Sequence, residues 1–352
     1  MQDDILKLAF EVSRITGEKI AVIDRIMMRT RMLSMNARLE STRAGEAGLG
    51  FGVVAREMGV VAEEVNALSA QLQSEIAANT ARIENAGRHM MQEFKGQRFA
   101  DLARNVVEII DRNLYERSCD VRWWATDSAM VGVLQQKTLE ASAYACERLA
   151  TILRSYTVYL DLWVADRSGR VVATGRGSRF PNAINQNVSE AEWFKSGLAT
   201  RSGDDFAVCD ITRNGVLGNA QVATYSTAIR KGGATDGEVL GVLGIFFDWE
   251  PQARDIVQGV ALTEAERAET RVMLLNSKHQ VIAASDKSCS LSEVYPIKSD
   301  AKQGFYQEGQ RMVCYALTPG YETYQGLGWY GCIESKVGGD AGSGDGSFQV
   351  KH

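Results

Sequence analysis

The first half of the chain combines heptad-spaced apolar residues with a complete lack of proline. No proline occurs before Pro181, so the covalent chain does not force a helix to break in that half. From Ile5 the apolar residues follow gaps of three, four or seven, interrupted by Lys19 and Arg29, and they are Ile5, Leu8, Val12, Ile15, Val22, Ile26 and Leu33. This period predicts a long amphipathic helix at the start of the chain.

A glycine-rich segment separates this helix from a second one. Residues 45–50 read GEAGLG, and three glycines in six residues favour a turn. A second apolar seam then follows at Val54, Met58, Val61, Val65, Leu68 and Leu72. Two such helices predict an antiparallel hairpin over residues 1–92, and a homodimer would bury the part of the seam that one hairpin leaves exposed. A generic dimerisation arm would show the same period.

The residues at the glycine turn are more specific than the period around them. The stretch MNARLESTRAGEAGLGFGVVARE, residues 35–57, resembles the cytoplasmic hairpin tip of methyl-accepting chemotaxis proteins, and the matching positions are Asn36, Glu40, Arg43, Glu46, Gly48, Gly50, Phe51, Val53 and Val54. The resemblance implies that these residues contact neighbouring receptor dimers, a chemotaxis histidine kinase and its coupling protein. A solvated polar turn is the alternative interpretation.

The stretch also departs from the family pattern. Residues 29–31 read Arg-Thr-Arg where the family has Gln-Thr-Asn, and Leu49 replaces a basic residue. The first arm is too short for the long methylation helices of a full receptor. Adaptation by methylation is therefore not expected, and kinase coupling remains a hypothesis beside simple dimerisation or docking.

Helical spacing continues beyond the hairpin. Apolar residues at Val106, Ile109, Leu114 and Trp124 predict one very long helix, or two nearly coaxial helices, over residues 93–158. The adjacent residues Trp123 and Trp124 would point about 100° apart on a helix. We expect one of them to pack in the core of the following domain and the other against a dimer mate.

The pattern changes to a period of two after Tyr159, and it occurs twice. A strand, a glycine turn and a strand at residues 160–173 recur at residues 271–284, and the strand pair at 224–230 and 241–248 recurs at 313–319 and 328–334. The sequence therefore predicts an α+β fold in which two antiparallel-sheet modules, 159–258 and 259–336, follow the helices. The glycine-rich residues 337–352 predict a flexible tail.

A long helix followed by two PAS-like modules resembles a double Cache sensor. The end of the second module carries this resemblance in PGYETY at residues 319–324 and GWY at residues 328–330. The resemblance implies that the first, larger module binds a small molecule between its sheet and the loops after its first hairpin. The order of the parts is unusual, because most receptors place the sensor before the hairpin.

Several side chains in the first module are candidate ligand contacts, and they are Arg179, Trp193, Phe194, Asp210, Tyr225, Phe246 and Asp248. Asp210 or Asp248 could pair with an ammonium group, and Trp193 or Tyr225 could face a cation. Core packing is the alternative for Trp193 and Phe246, and a loop cap is the alternative for Asp210. The amino-acid-binding members have Arg at the position of Ala191 and Asp at that of Phe246, so the ligand is not identified.

Charge and residue inventory argue against several other functions. The net charge is −5, from 39 basic and 44 acidic residues, so no basic field favours nucleic acid. The six cysteines lack CxxC spacing and the three histidines lack ligand spacing, so neither a zinc nor a haem site is expected, and no cofactor is implied. P-loop and Ser-His-Asp patterns are absent, which argues against an enzyme.

The remaining expectations concern location and overall role. No stretch reaches the ~18–20 apolar residues of a membrane span, and residues 1–10 lack the pattern of a signal peptide, so a cytoplasmic location is expected. The sequence predicts a sensory transducer that binds a small molecule in its first Cache module and signals through its hairpin. The alternative is a dimeric ligand-binding scaffold whose hairpin only dimerises or docks another partner.

Overall fold

The computed structural model describes residues 2–286 and 291–337. Contacts divide the chain into two compact units, Met1–Lys95 and Gly96–His352. The predicted tail beyond residue 337 and one of the six cysteines, Cys289, lie outside the described residues. The first unit is helical and the second contains both sheets, so the predicted α+β class is confirmed.

Two helices and a short turn build the first unit. Helix α1 spans Gln2–Arg43, a 3-10 turn spans Gly45–Gly48, and helix α2 starts at Leu49 and ends at Trp124. Gly45 has a φ of +59°, a left-handed conformation that glycine adopts without a steric penalty. The helix therefore ends where the glycine cluster predicts, and the hairpin is confirmed.

The seam between α1 and α2 differs from the predicted one. Small side chains are buried there, including Ser34, Ala55, Ala62 and Ser69, together with Ile20. The predicted seam residues Met58 and Val65 are half-buried, whereas the predicted seam residues Leu8, Val12, Ile15, Val22, Ile26, Leu33, Val54, Val61, Leu68 and Leu72 are exposed. Small residues allow two helices to approach closely, and the Ser34 hydroxyl donates to the carbonyl of Ala55 across the seam at 2.5 Å. The larger apolar side chains consequently form a stripe on the outside of the hairpin.

The segment 93–158 contains three helices rather than one rod. Helix α2 ends at Trp124, and helices α3 (Ser128–Gln136) and α4 (Leu139–Ser155) follow. Asp127 caps α3 by accepting from the Ala129 amide at 2.8 Å, which fixes the break after α2. Trp124 is 5% exposed and lies in the core, as one of the two tryptophans was predicted to do, whereas Trp123 is 68% exposed.

The first module is a five-stranded antiparallel sheet. Its strands are β1 (Tyr159–Asp166), β2 (Val171–Thr174), β3 (Ala207–Asn214), β4 (Ala220–Arg230) and β5 (Val239–Asp248). They lie in the order β2-β1-β5-β4-β3, and helix α5 (Glu192–Leu198) packs on β3, β4 and β5. The central strands β1, β4 and β5 are buried on both faces because helices cover one face and α5 with its loops covers the other.

The second module repeats this topology. Helices α6 (Trp249–Gln258) and α7 (Glu264–Glu269) lead into β6 (Thr270–Leu275), β7 (Val281–Ala284), β8 (Gln303–Glu308), β9 (Arg311–Leu317) and β10 (Tyr330–Lys336). The strand order β7-β6-β10-β9-β8 matches that of the first sheet strand for strand. The predicted internal duplication is therefore confirmed at the level of topology.

Helix α2 lies directly against the second sheet. A side chain at Gly331 of β10 would overlap the backbone carbonyl of Ala103, and one at Gly96 of α2 would overlap the ring of Phe305. These two glycines let the helix backbone and the sheet approach closely. Leu114 and Val107 of α2 belong to the large core that the two sheets share.

Candidate signalling tip and sensor site

The predicted tip residues form the exposed end of the hairpin. Phe51 and Val54, at the start of α2, are 64% and 56% exposed. Arg43 donates to Glu40 at 2.7 Å in an exposed ion pair, and Asn36 and Glu46 are also exposed. An apolar ring surrounded by charged and amide groups is a composition typical of protein-binding surfaces.

Ser41 fixes the geometry beneath this surface. Its hydroxyl donates to the carbonyl of Gly48 at 2.6 Å, across the turn between the helices. A side chain at Gly48 would overlap the Ser41 carbonyl, and a Cβ at Gly52 would lie 2.6 Å from the Ser41 hydroxyl oxygen. No sequence pattern singles out Ser41, because a serine on a helix gives no periodic signal.

Three aromatic rings cover one face of the first sheet. The ring of Trp163 lies 4.4 Å from that of Phe246, and Trp193 lies 5.5 Å from Phe246 and 6.4 Å from Trp163. A Cβ at Gly244 would lie 2.6 Å from the Trp193 ring, so Trp193 rests directly on the strand. Phe194 joins the same cluster. The predicted residues Trp193, Phe194 and Phe246 thus lie together and are buried.

Asp161 organises the loop beside this aromatic cluster. Its two carboxylate oxygens accept from the Leu162 amide and the Trp163 indole. They also accept from Thr174 Oγ1 at the end of β2 and from the amides of Gly175 and Arg176 just after it, all at 2.5–3.0 Å. Burial raises the pKa of Asp161, and the hydrogen bonds oppose the rise. No sequence pattern points to Asp161, because three of its five partners come from a separate segment of the chain.

Charged side chains form a rim at the end of β5. Burial raises the pKa of Asp248, while the positive charges of Arg179 and Arg176 oppose that rise. The guanidinium of Arg179 also lies 5.0 Å from the centre of the Phe180 ring. The positive charge of Arg179 therefore acts on Asp248, and both residues were predicted from sequence.

A cleft of about 570 Å³ lies among the loops of the first module. Amide side chains dominate its lining, which includes Asn182, Asn185, Gln186, Asn187, Pro181 and Val216. Amides offer both donors and acceptors, so such a cleft can bind an uncharged polar group or one end of a larger polar ligand.

Two predicted contacts lie elsewhere. Tyr225 points to the opposite face of the sheet from Phe246, because successive side chains on a strand alternate, and its hydroxyl lies 3.3 Å from that of Tyr324 in the second module. Asp210 accepts from the Ile211 amide and from Asn276 Nδ2, each at 2.8 Å. Both residues connect the two modules and do not join the aromatic cluster.

Buried polar groups anchor α2 to both modules. Asp120 accepts from the hydroxyl of Tyr159 at 2.5 Å and from Arg117 Nε at 3.3 Å, and Arg117 lies over the ring of Tyr159. Nearer the N-terminus of α2, Asp111 accepts from the Gly320 amide at 2.8 Å and from the hydroxyl of Thr318. A displacement of α2 would therefore break hydrogen bonds of buried carboxylates.

The described residues contain neither a metal-site cluster nor a membrane-spanning helix. Within residues 2–286 and 291–337, no three His, Cys, Asp or Glu side chains are grouped as a metal site would require. Over the same residues, none of the helices is both long enough and apolar enough to cross a membrane.

Comparison with known proteins identifies the first third of the chain. Residues 2–115 match the methyl-accepting chemotaxis protein (MCP) signalling domain. A segment of 63 residues is 51% identical to the Frizzy aggregation protein FrzCD of Myxococcus xanthus, covering 18% of this chain and 15% of that protein. A segment of 114 residues is 29% identical to the methyl-accepting chemotaxis aspartate transducer of Klebsiella aerogenes, covering 32% of this chain and 21% of that protein.

The remainder of the chain has the fold of a known sensor domain. The sensor domain of the histidine kinase DctB from V. cholerae superposes with a TM-score of 0.52 at 12% sequence identity, covering 68% of this chain and 96% of that domain. At this identity the likeness shows the fold alone. The two-module PAS and Cache-like architecture is thus confirmed.

Proposed function

Since residues 2–115 carry the signalling domain of methyl-accepting chemotaxis proteins, we propose that this chain is a sensory transducer for a chemotaxis histidine kinase and its coupling protein. The observation that carries the proposal is the exposed tip, where Phe51, Val54 and the Glu40–Arg43 pair stand at the end of the hairpin. A sensor-type double module on the same chain supplies the input. The role is that of a transducer and not of an enzyme.

The working form is a homodimer. The outer stripe of the hairpin, defined by the exposed predicted seam residues named above, is too long and too apolar to be explained by scattered surface residues. Two hairpins that bring these stripes together form a four-helix bundle, which buries them. The small-residue seam inside each hairpin supports this arrangement because it leaves the large side chains available for the partner.

The ligand of the first module is a small polar molecule. Its contacts are the rim formed by Asp248 and Arg179 and the neighbouring amide-lined cleft, with Trp193, Phe194 and Phe246 as the aromatic base. A ligand there could change the loop that Asp161 fixes, and hence the packing of the sheet against α2. The Asp120 and Asp111 hydrogen bonds would then bias the position of that helix.

One observation favours the alternative of a dimeric docking scaffold. Arg31, part of the triplet that departs from the family pattern, forms an ion pair with Glu63 across the hairpin at 3.2 Å. In this alternative the tip docks a partner outside the chemotaxis system.

Co-sedimentation of the full chain with the kinase and coupling protein tests the proposal. Phe51→Ala should reduce retention of the kinase about tenfold, the effect of about 1.4 kcal/mol of lost contact energy. Phe94→Ala is a matched control, because Phe94 is equally exposed at 67% but lies outside the tip. Glu40→Ala tests the Glu40–Arg43 pair in the same assay. Its control is Glu18→Ala, because Glu18 also forms an exposed ion pair within a helix. If the unmodified chain does not retain the kinase, the transducer proposal is wrong and the scaffold alternative remains.

A further inference from the structure

A cavity of about 380 Å³ lies between the two modules, apart from the loops of the first-module site. Strand β3 is an edge of the first sheet and β7 is an edge of the second, and both contribute to the cavity wall. The volume is within the ~300–1,000 Å³ range of small-molecule sites. The wall includes Arg213, Gln221, Ala253, Ile282, Ala283 and Ala284. A small molecule bound in this inter-module cavity would contact both modules.

One wall of the inter-module cavity is apolar and consists of short side chains. Ala253 of α6 and Ile282, Ala283 and Ala284 of β7 are each at most 8% exposed. Three alanines and one isoleucine offer van der Waals contact and no side-chain hydrogen bond. This wall therefore favours the flat, apolar face of a ring.

The charged side chains at the rim of the cavity do not require a charged ligand. Glu250 and Arg254 form an exposed ion pair with each other at 2.9 Å. Asp286 pairs with Arg271 at 3.1 Å. Arg213 is exposed, so water solvates its charge. An uncharged ligand leaves all of these groups as they are.

Gln221 is the buried polar group of the cavity wall. It is 4% exposed, and among the residues that the structure describes, its side-chain amide has no hydrogen-bond partner. Its neighbour on β3, Arg213, donates instead to the carbonyl of Asn219 at 3.1 Å. A buried amide without a partner lowers stability, so core packing alone would favour an apolar residue at this position.

We propose that the inter-module cavity binds an uncharged planar ring that carries a hydrogen-bond donor beside an acceptor, the edge that a nucleobase or an aromatic carboxamide presents. The Gln221 amide has a donor and an acceptor side by side, so it donates to the ligand acceptor and accepts from the ligand donor. Glutamine pairs with the edge of adenine in this bidentate way. Ala253 and Ile282 contact the face of the ring.

The unpaired amide selects against charged ligands. A carboxylate offers only acceptors and an ammonium only donors, so either of them would leave one group of Gln221 without a partner. Either would also bring a charge next to the apolar wall, where it loses hydration. The inter-module cavity thus differs in ligand chemistry from the charged rim of Asp248 and Arg179 in the first module.

Thermal shift of the full chain with nicotinamide and with 9-methyladenine tests the proposal. At ten times its dissociation constant, at least one of them should raise the melting temperature by about 3–5 °C. 3-Acetylpyridine is the matched control, because a methyl group replaces the amide nitrogen of nicotinamide and removes the donor. It should leave the melting temperature unchanged.

Gln221→Met should abolish the rise, because it keeps the length of the side chain and removes the amide. Without ligand, the same variant should melt at a higher temperature than the unmodified chain, since the unpaired buried amide is gone. Gln135→Met is the control, because Gln135 is exposed on α3, and it should change neither result. Circular dichroism checks the fold, and Gln221→Asn, which draws the amide back by one methylene, should weaken the rise.

Four outcomes would overturn the proposal. They are no rise with either compound, an equal rise with 3-acetylpyridine, a rise that Gln221→Met preserves, and a Gln221→Met variant that melts lower than the unmodified chain without ligand although its circular dichroism is unchanged. A rise that Asp248→Asn abolishes and Gln221→Met preserves would assign the ligand to the first module. Kinase retention by the tip is measured separately, so none of these outcomes bears on it.

Discussion

At the scale of single residues, buried carboxylates control how α2 meets the sheets. Burial raises the pKa of Asp111, the nearby negative charge of Glu108 raises it further, and the hydrogen bonds from Thr318 and Gly320 oppose the rise. The folded chain therefore holds this proton more tightly than the unfolded chain does. For such a group, the free energy of unfolding falls as pH rises from the ordinary pKa of 3.8 through the raised value.

Asp111→Asn should remove this part of the pH dependence. The unfolding free energy of the variant, relative to the unmodified chain, should increase as pH rises from about 4 and become constant above the raised pKa. Urea unfolding followed by tryptophan fluorescence at a series of pH values measures this difference. The same substitution at exposed Asp300 is the control. A difference that falls with pH would contradict the assigned direction of the pKa shift.

At the scale of elements, the local stability of the hairpin tip depends on which glycines of α2 face α1. A Cβ at Gly50 would meet no atom within 4 Å, whereas one at Gly52 would lie 2.6 Å from the Ser41 hydroxyl oxygen. Both glycines lie in α2, where alanine is favoured over glycine by about 0.5–1 kcal/mol. The two positions thus have the same helix propensity and different surroundings.

Gly50→Ala should therefore slow amide hydrogen exchange at the tip, and Gly52→Ala should not. Combining Gly52→Ala with Ser41→Ala should restore part of the gain, because the second change removes the colliding oxygen. Hydrogen exchange of the tip amides measures local stability without requiring that the whole chain unfold in one step. Equal protection in both single variants would show that Ser41 and Gly52 do not pack as described.

At the scale of the whole molecule, two modules of one topology have different exposed faces. In the first, aromatic side chains fill the sheet face opposite the helices, and in the second a cavity lined by charged and phenolic groups remains. Duplication thus gives two sheet faces with different chemistry. The hairpin provides a further surface, an exposed stripe of large apolar residues.

Placing a charge on that stripe should dissociate the proposed dimer. Leu68→Lys combined with Val61→Lys would bury two ammonium groups in the four-helix bundle, at a cost that shifts the equilibrium towards monomer. Sedimentation velocity measures the change, and Leu139→Lys, at an exposed leucine of the second unit, is the control. An unmodified chain that sediments as a monomer at every concentration would exclude the dimer.

The sequence by itself determined the hairpin, the change from helices to strands and the repeat of the sheet module, but not the division of residues 93–158 into three helices. Heptad spacing, the glycine turn at residues 45–50 and the change to a period of two after Tyr159 are local signals, and each reports backbone conformation within a few residues. The internal repeat likewise required only comparison of the chain with itself. Those features predicted the hairpin, the α+β class and the duplicated module.

Tertiary structure decided which side chains face one another. Small residues such as Ser34 and Ala55 give no hydrophobic signal, yet they form the seam because they let two helices approach closely. Strand alternation, fixed by pairing with distant strands, directed Tyr225 away from Phe246. The donors to Asp161 and the charges around the second-module cavity come from separate segments, and only the folded chain brings them within hydrogen-bonding distance.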